Sequence, residues 1–293
     1  MKNLSDLLEL RLVAACTLPT GVSNLCTSGA IEHFAAGGGR VRANICLDAA
    51  IQQGLSEGDA VCLASVCELL HNASLIQDDL LDRTTVRRGA PSIWVRHGDT
   101  VAVCTGDLML SAAYSLLAEL SVPAWIGPAI RLVHRRTGEV ILGQAAEGSP
   151  KPPKSTTAAH YEQLARAKSA SLLSLSLELP LLLSGEERFL EIAHSVTSDF
   201  AVAYQIADDL ADTAQDMLEG SPNLVLLLIE RDGLTRPEAY KCATELATER
   251  LSSAERLARL LPNNCAATLL LYADRLRNAL ADHTIAPLAT AGA

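Results

Sequence analysis

"GDAVCLASVCELLHNASLIQDDLLDRTTVRRG", residues 58–89, is the stretch on which the reading of the fold turns. From Gly58 to Leu81 apolar residues fall on most sides of a helical wheel, which predicts a helix in the middle of a bundle. That run ends in three carboxylates, Asp78, Asp79 and Asp82, and two arginines, Arg87 and Arg88, follow in a loop-like "RTTVRRGAPS". A second stretch, "YQIADDLAD" over residues 204–212, repeats the acidic part without the arginines. Both copies follow apolar residues, so neither has the setting of a solvated acidic turn.

The rest of the 293 residues agrees with a bundle. Hydrophobic residues make up 49% of the chain and aromatics 3%, with Ala and Leu dominant, a composition that favours packed helices over sheets. Hairpin signals are nearly absent. The expected fold is all-α, with helices over residues 1–15, 28–36, 42–53, 58–81, 100–120, 126–147, 157–183, 186–217, 234–261 and 265–282. The sharpest break is "GSPKPPKST" at 148–156, read as a surface loop because the two acidic motifs flank it and need each other. One domain is therefore expected over 1–293, with residues 1–30 as variable N-terminal helices and 284–293 as a loose tail.

Several function classes are set aside. A formal charge of −10 and no basic face argue against nucleic acid as a partner. Eight cysteines occur with no CxxC pair and no neighbouring His cluster, which argues against zinc and for a reducing, cytoplasmic compartment. Asp6, Glu9 and Arg11 interrupt what would be the apolar core of a leader. The apolar segments 169–184 and 224–229 are too short or too interrupted to span a bilayer, so a soluble protein without membrane insertion is expected.

The acidic motifs carry the chemistry. Residues four apart on a helix lie one above the other, so Asp78 shares a face with Asp82 and Asp208 with Asp212, while Asp79 and Asp209 flank them. Carboxylates crowded at the end of an apolar helix repel one another and lose hydration, and a cation must offset both. Hard divalent ions suit all-oxygen ligands, and Mg²⁺ typically takes a few carboxylates, waters and substrate phosphates. Two acidic walls holding Mg²⁺ and a diphosphate between them account for both copies. Arg87 and Arg88 fit the same picture, since guanidinium suits bidentate phosphate contact.

With these motifs in order, the chain resembles the trans-isoprenyl diphosphate synthases, the head-to-tail polyprenyl synthetases. "GGGRVR" (37–42) is similar to their GGKRxR segment, and "ELLHNASLIQDDLLDRTTVRRG" and "YQIADDLAD" to their two aspartate-rich regions. "GDLML" (106–110), "GQAAE" (143–147) and "AKSASLL" (167–173) resemble the intervening segments. The resemblance implies an enzyme that joins isopentenyl diphosphate to an allylic diphosphate with Mg²⁺, three ions being expected once diphosphate is bound. It implies Asp78, Asp79, Asp82, Asp208 and Asp209 as metal ligands with Asp212 in support. It implies Arg87, Lys168, Ser169 and Gln205 at the allylic diphosphate, and Arg40, Arg42, His71 and Arg88 around isopentenyl diphosphate. Gln144 and Glu147 are carried over as well, and a homodimer is expected. On the residues alone, His71 reads as a core histidine and Lys168 as a surface lysine.

Two departures stand out. Gly39 occupies the family's lysine position in GGKRxR, and "TAQDMLEGSPNLVLLL" lacks the family's lysine-bearing stretch, with Ser221 where a lysine is common. Each removes a charge-assisted contact of roughly 1.5–3 kcal/mol. A non-catalytic partner subunit, or a transferase with another acceptor, are the alternatives these losses keep in view. Ala73 and Ser74, just ahead of Asp78, are small, which predicts a product of C20 or longer, with a farnesyl product as the alternative and Tyr114 or Met109 as residues able to fill the gap.

Overall fold

Every residue from Asp59 to Leu70 is buried, so the helix that holds them has no solvent face. This helix, α4 (Glu57–Leu81), follows α1 (Leu4–Ala15), α2 (Leu25–Ala35) and α3 (Val41–Gln52). The structure is a computed structural model that describes residues 3–18, 24–147 and 158–281. The Pro-rich break at 148–156 and the tail from 284 lie outside the described residues.

Beyond α4 come α5 (Ile93–His97), α6 (Asp99–Leu117), α7 (Ile126–Glu147), α8 (Ala158–Ala165) and α9 (Ser171–Leu183). The chain ends in α10 (Leu190–Glu219), α11 (Leu224–Asp232), α12 (Arg236–Ala258) and α13 (Ala267–Ala281). The fold is all-α, as expected. One turn of π-helix over Arg166–Ala170 joins α8 to α9, where the sequence pattern predicts unbroken α-helix.

Two apolar clusters fill the bundle, and α9 belongs to both. Leu172, Leu175, Leu179 and Leu182, at steps of three and four, join the cluster of α4, α6 and α7. Leu173, Leu177 and Leu181 join the cluster of α10 to α13. Because α9 is apolar all round it can seal both halves, and it packs on α4 and α10, the two helices that end in aspartates.

The expected loop after Leu81 contains a small antiparallel hairpin, β1 (Val86–Arg87) with β2 (Ala90–Pro91). Its two-residue turn puts Arg88 at φ 52° and Gly89 at φ 74°. Positive φ at both central positions matches the strand twist of a tight hairpin, and glycine meets that demand without strain while arginine does not. No Asn-Gly announces this turn, which is why the sequence pattern reads as a plain loop.

By length and composition α4 and α6 are each apolar enough to cross a membrane, longer than the segments weighed from sequence. The apolar window of α4 is 83% buried inside the bundle and that of α6 44%.

Candidate active site

The C-terminal end of α4 delivers the first acidic motif. Asp78 is half-buried and Asp82, which caps the helix with its N–H on the Asp78 carbonyl at 2.8 Å, is exposed. Asp79 turns the other way and is 2% exposed. Its Oδ1 accepts from Arg87 Nε at 2.7 Å and from Arg87 Nη2 at 2.6 Å. The hairpin brings that guanidinium back onto the helix that precedes it.

Alternation along β1 and its turn separates the two arginines. Arg88 reaches instead to the loop between α2 and α3, where its Nη1 donates to the Gly37 carbonyl. Its Nε is buried without a partner among the described residues, and so is Arg42 Nε on α3. Burial, with Arg40, Arg87 and Arg42 nearby, pushes the Arg88 guanidinium down to about 10. Burial also lowers Arg42, partly offset by Glu68 and Tyr204. His71 is held well below the usual histidine range, first by burial and then by Arg42 and Arg88, so it is neutral at physiological pH.

The second motif stands on α10. Asp208 is half-buried and Asp212 exposed, one turn apart. Burial pushes Asp208 up to about 7, helped by Asp212, Asp209 and Asp216. Asp209 is 2% exposed and satisfied by protein groups. Tyr161 Oη donates to it at 2.7 Å, Gln205 Nε2 at 3.0 Å and the Leu224 N–H at 2.7 Å. Burial still raises it to about 6.

The walls are linked through α3. Asp208 raises Tyr204, which burial has already pushed to about 12, while Arg42 lowers it. Arg42 in turn acts on His71, which also feels Arg88 and Arg87, and Arg87 holds Asp79. The expected site residues Asp79, Arg87, Arg88, His71, Arg42 and Asp208 thus form one run of electrostatic neighbours across the bundle.

Other expectations fare differently. Arg40 has all three guanidinium nitrogens engaged by the protein: Glu9 at 2.7 and 3.0 Å, Glu68 at 3.3 Å and the Phe34 carbonyl at 3.3 Å. This places it as a brace between α1, α2 and α4 and leaves it no nitrogen free for a substrate phosphate. Ser169 sits in the π-helical turn with Lys168, whose side chain lies outside the described residues, as does that of Glu147. Gln144 is half-buried near the end of α7.

Tyr161 and Asn223 were not singled out from sequence. Asn223 caps α11, accepting from Val225 and Leu226, and its amide donates to the Asp209 carbonyl and Asp216 Oδ2 at 2.8 and 2.7 Å. An Asn before the apolar "LVLLL" was a readable start signal. Nothing local could have announced Tyr161.

Among the described residues no three His, Cys, Asp or Glu side chains converge to hold an ion by themselves. Asp78 with Asp82, and Asp208 with Asp212, instead offer hard oxygen donors from two helices. Carboxylates that burial leaves reluctant to ionise, beside buried guanidiniums without partners, suit a ligand carrying both cations and an oxyanion.

Residues 25–220 match the polyprenyl synthetase family. The chain belongs to that family. Among its curated relatives, it is 34% identical over 174 residues to a (2E,6E)-farnesyl diphosphate synthase of Mycobacterium bovis, covering 59% of this chain and 48% of the relative. It is 32% identical to an all-trans-nonaprenyl-diphosphate synthase of Rhodobacter capsulatus, covering 66% and 62% respectively. Against the first of these it spans about half the relative's length. In structure it resembles a geranylgeranyl pyrophosphate synthetase of Geoglobus acetivorans, with a TM-score of 0.83 at 24% identity over 93% of this chain and 97% of the other. That likeness shows the polyprenyl synthetase fold.

Proposed function

We propose that the protein is a Mg²⁺-dependent trans-prenyltransferase that joins isopentenyl diphosphate head to tail with an allylic diphosphate. The observation that carries this reading is a double imbalance in one polar region. Asp208, pushed up to about 7, lacks a cation, while Arg42 and Arg88 hold buried nitrogens that lack an acceptor. A magnesium diphosphate supplies both. The family's curated relatives, named as farnesyl and nonaprenyl diphosphate synthases, point the same way.

In this reading Asp78 and Asp82 on one wall, and Asp208 and Asp212 on the other, hold up to three Mg²⁺ ions. Asp79 and Asp209 stand behind them, fixed by Arg87 and by Tyr161. Bound there, magnesium stabilises the charge that builds on a departing diphosphate. Lys168 and Gln205 line the allylic diphosphate. Arg42, neutral His71 and Arg88 orient isopentenyl diphosphate so that its alkene meets the allylic carbon as the C–O bond breaks. The proton lost afterwards goes to the pyrophosphate just released. Closed apolar packing around the polar region keeps water from the allylic cation.

Three finer points belong to the same proposal. Ala73, 4% exposed, and half-buried Ser74 leave no bulky side chain on α4 ahead of Asp78, which favours a product of C20 or longer. The outer face of α6, with Val103 45% exposed beside exposed Cys104, is the natural surface for a second copy in a homodimer. Eight free thiols fit a reducing, cytoplasmic setting.

Incubation with Mg²⁺, isopentenyl diphosphate and C5, C10 or C15 allylic primers, followed by sizing of the dephosphorylated products, tests all of this. Chains of C20 or more are expected. A C15 end point overturns the length assignment, and no elongation with any primer overturns the transferase.

A further inference from the structure

Behind the β1–β2 hairpin lies a cavity of about 260 Å³, walled by the last turns of α2, by the hairpin and by α5. Its lining includes Glu32, Ala36, Arg87, Arg88, Ser92 and Arg96, and none of Gly39, Arg42, His71 or the aspartates of the two motifs. It lies on the far side of Arg88 from the groups assigned above to isopentenyl diphosphate.

Its polar lining is unbalanced. Three guanidiniums face one carboxylate, and that carboxylate is already engaged: Glu32 Oε2 accepts from Arg96 Nη1 and His97 Nε2, each at 2.9 Å. Ser92 is 3% exposed, and its Oγ has no partner among the described residues. It precedes α5 yet makes no capping bond with its side chain, the usual use of a serine at that position. Arg88 Nε is likewise buried and unpartnered. A buried hydroxyl and a buried guanidinium N–H without acceptors each cost free energy unless a ligand or water meets them. Alanines, Pro91 and Ile93 complete the wall, so charge inside is poorly screened.

We infer that this cavity binds a small oxyanion of the phosphate class, held by the Ser92 hydroxyl, Arg88 Nε and Arg96. The ligand is orthophosphate or pyrophosphate; both carry the same oxygen chemistry. Through Arg88 the cavity adjoins the second-substrate site, so occupancy ties down one of the few cations left there after the replacement of lysine by Gly39.

Calorimetric titration in EDTA, where metal-dependent diphosphate sites are silent, tests the site without any appeal to prenyl transfer, so its failure leaves the transferase reading standing. In an Arg42→Met background, which disables the neighbouring second-substrate site, one equivalent of anion is expected to bind. Adding Ser92→Val should weaken it at least tenfold. The tighter of separate orthophosphate and pyrophosphate titrations identifies the ligand. Absence of binding to Arg42→Met protein that circular dichroism shows to be folded, or equal binding after Ser92→Val, overturns the proposal. Should Arg42→Met fail to fold, the unmodified chain is titrated against Ser92→Val and Arg96→Leu. Each must lose one bound equivalent, and unchanged stoichiometry in both overturns the site.

Discussion

Arg87 places Nε and Nη2 at 2.7 and 2.6 Å from a single oxygen of Asp79, a carboxylate only 2% exposed. Removing one partner of a buried pair leaves the other charge uncompensated, at a cost of about 3 kcal/mol or more. Arg87→Met is therefore expected to lower unfolding free energy by about that amount with no ligand present. Denaturant unfolding measures it, and a change near zero would mean that the pair does not fix the hairpin on α4.

The raised Asp208 gives a pH signature of known sign. Its folded value of about 7 lies above the 3.8 of an unperturbed carboxyl, so the folded state holds the proton more tightly between those pH values. Stability contributed by this group is present at low pH and is lost as pH rises towards 7. Asp208→Asn should then be more stable than the parent at pH 8 in EDTA, with the gap closing near pH 4. A gap that widens on acidification would contradict the assignment of charge.

Asp208 and Asp209 are neighbours with separate tasks, and substitution should separate them. Tyr161→Phe deletes one donor to Asp209 and is expected to reduce kcat/KM less than tenfold, since two other donors remain. Asp208→Ala should reduce it by orders of magnitude. Steady-state kinetics compares the two, and equal losses would place Asp209 among the metal ligands after all.

Gly39 is not among the residues with positive φ, so its backbone accepts a side chain without strain. Gly39→Lys should lower KM for isopentenyl diphosphate by roughly ten- to a hundredfold, the effect of one charge-assisted contact. An unchanged KM would show that neighbouring groups already replace the lysine.

Much of this was legible in the sequence, for reasons that also mark its limits. The central helix was expected over 58–81 and spans Glu57–Leu81, because a long apolar run signals itself over many residues. The spacing of Asp78 with Asp82 and of Asp208 with Asp212 told which carboxylates share a face. It could not tell that Asp79 and Asp209 are occupied, because their partners Arg87, Tyr161 and Leu224 arrive by tertiary packing. The hairpin escaped notice because its turn places an arginine where Asn or Gly is usual. The π-helical turn at Arg166–Ala170 escaped because one extra residue per turn barely disturbs apolar periodicity. α11 was missed because a short apolar run such as "LVLLL" has no period of its own.

The central claim is that both aspartate walls grip the same metal-bound diphosphate. A double-mutant cycle on binding of an unreactive allylic thiodiphosphate in Mg²⁺ tests it most directly, using Asp78→Ala, Asp208→Ala and the pair together. If the walls share one ligand, either single change should abolish most of the affinity and the double change should add little to it. Losses that simply sum, or undiminished binding in either single variant, would contradict it.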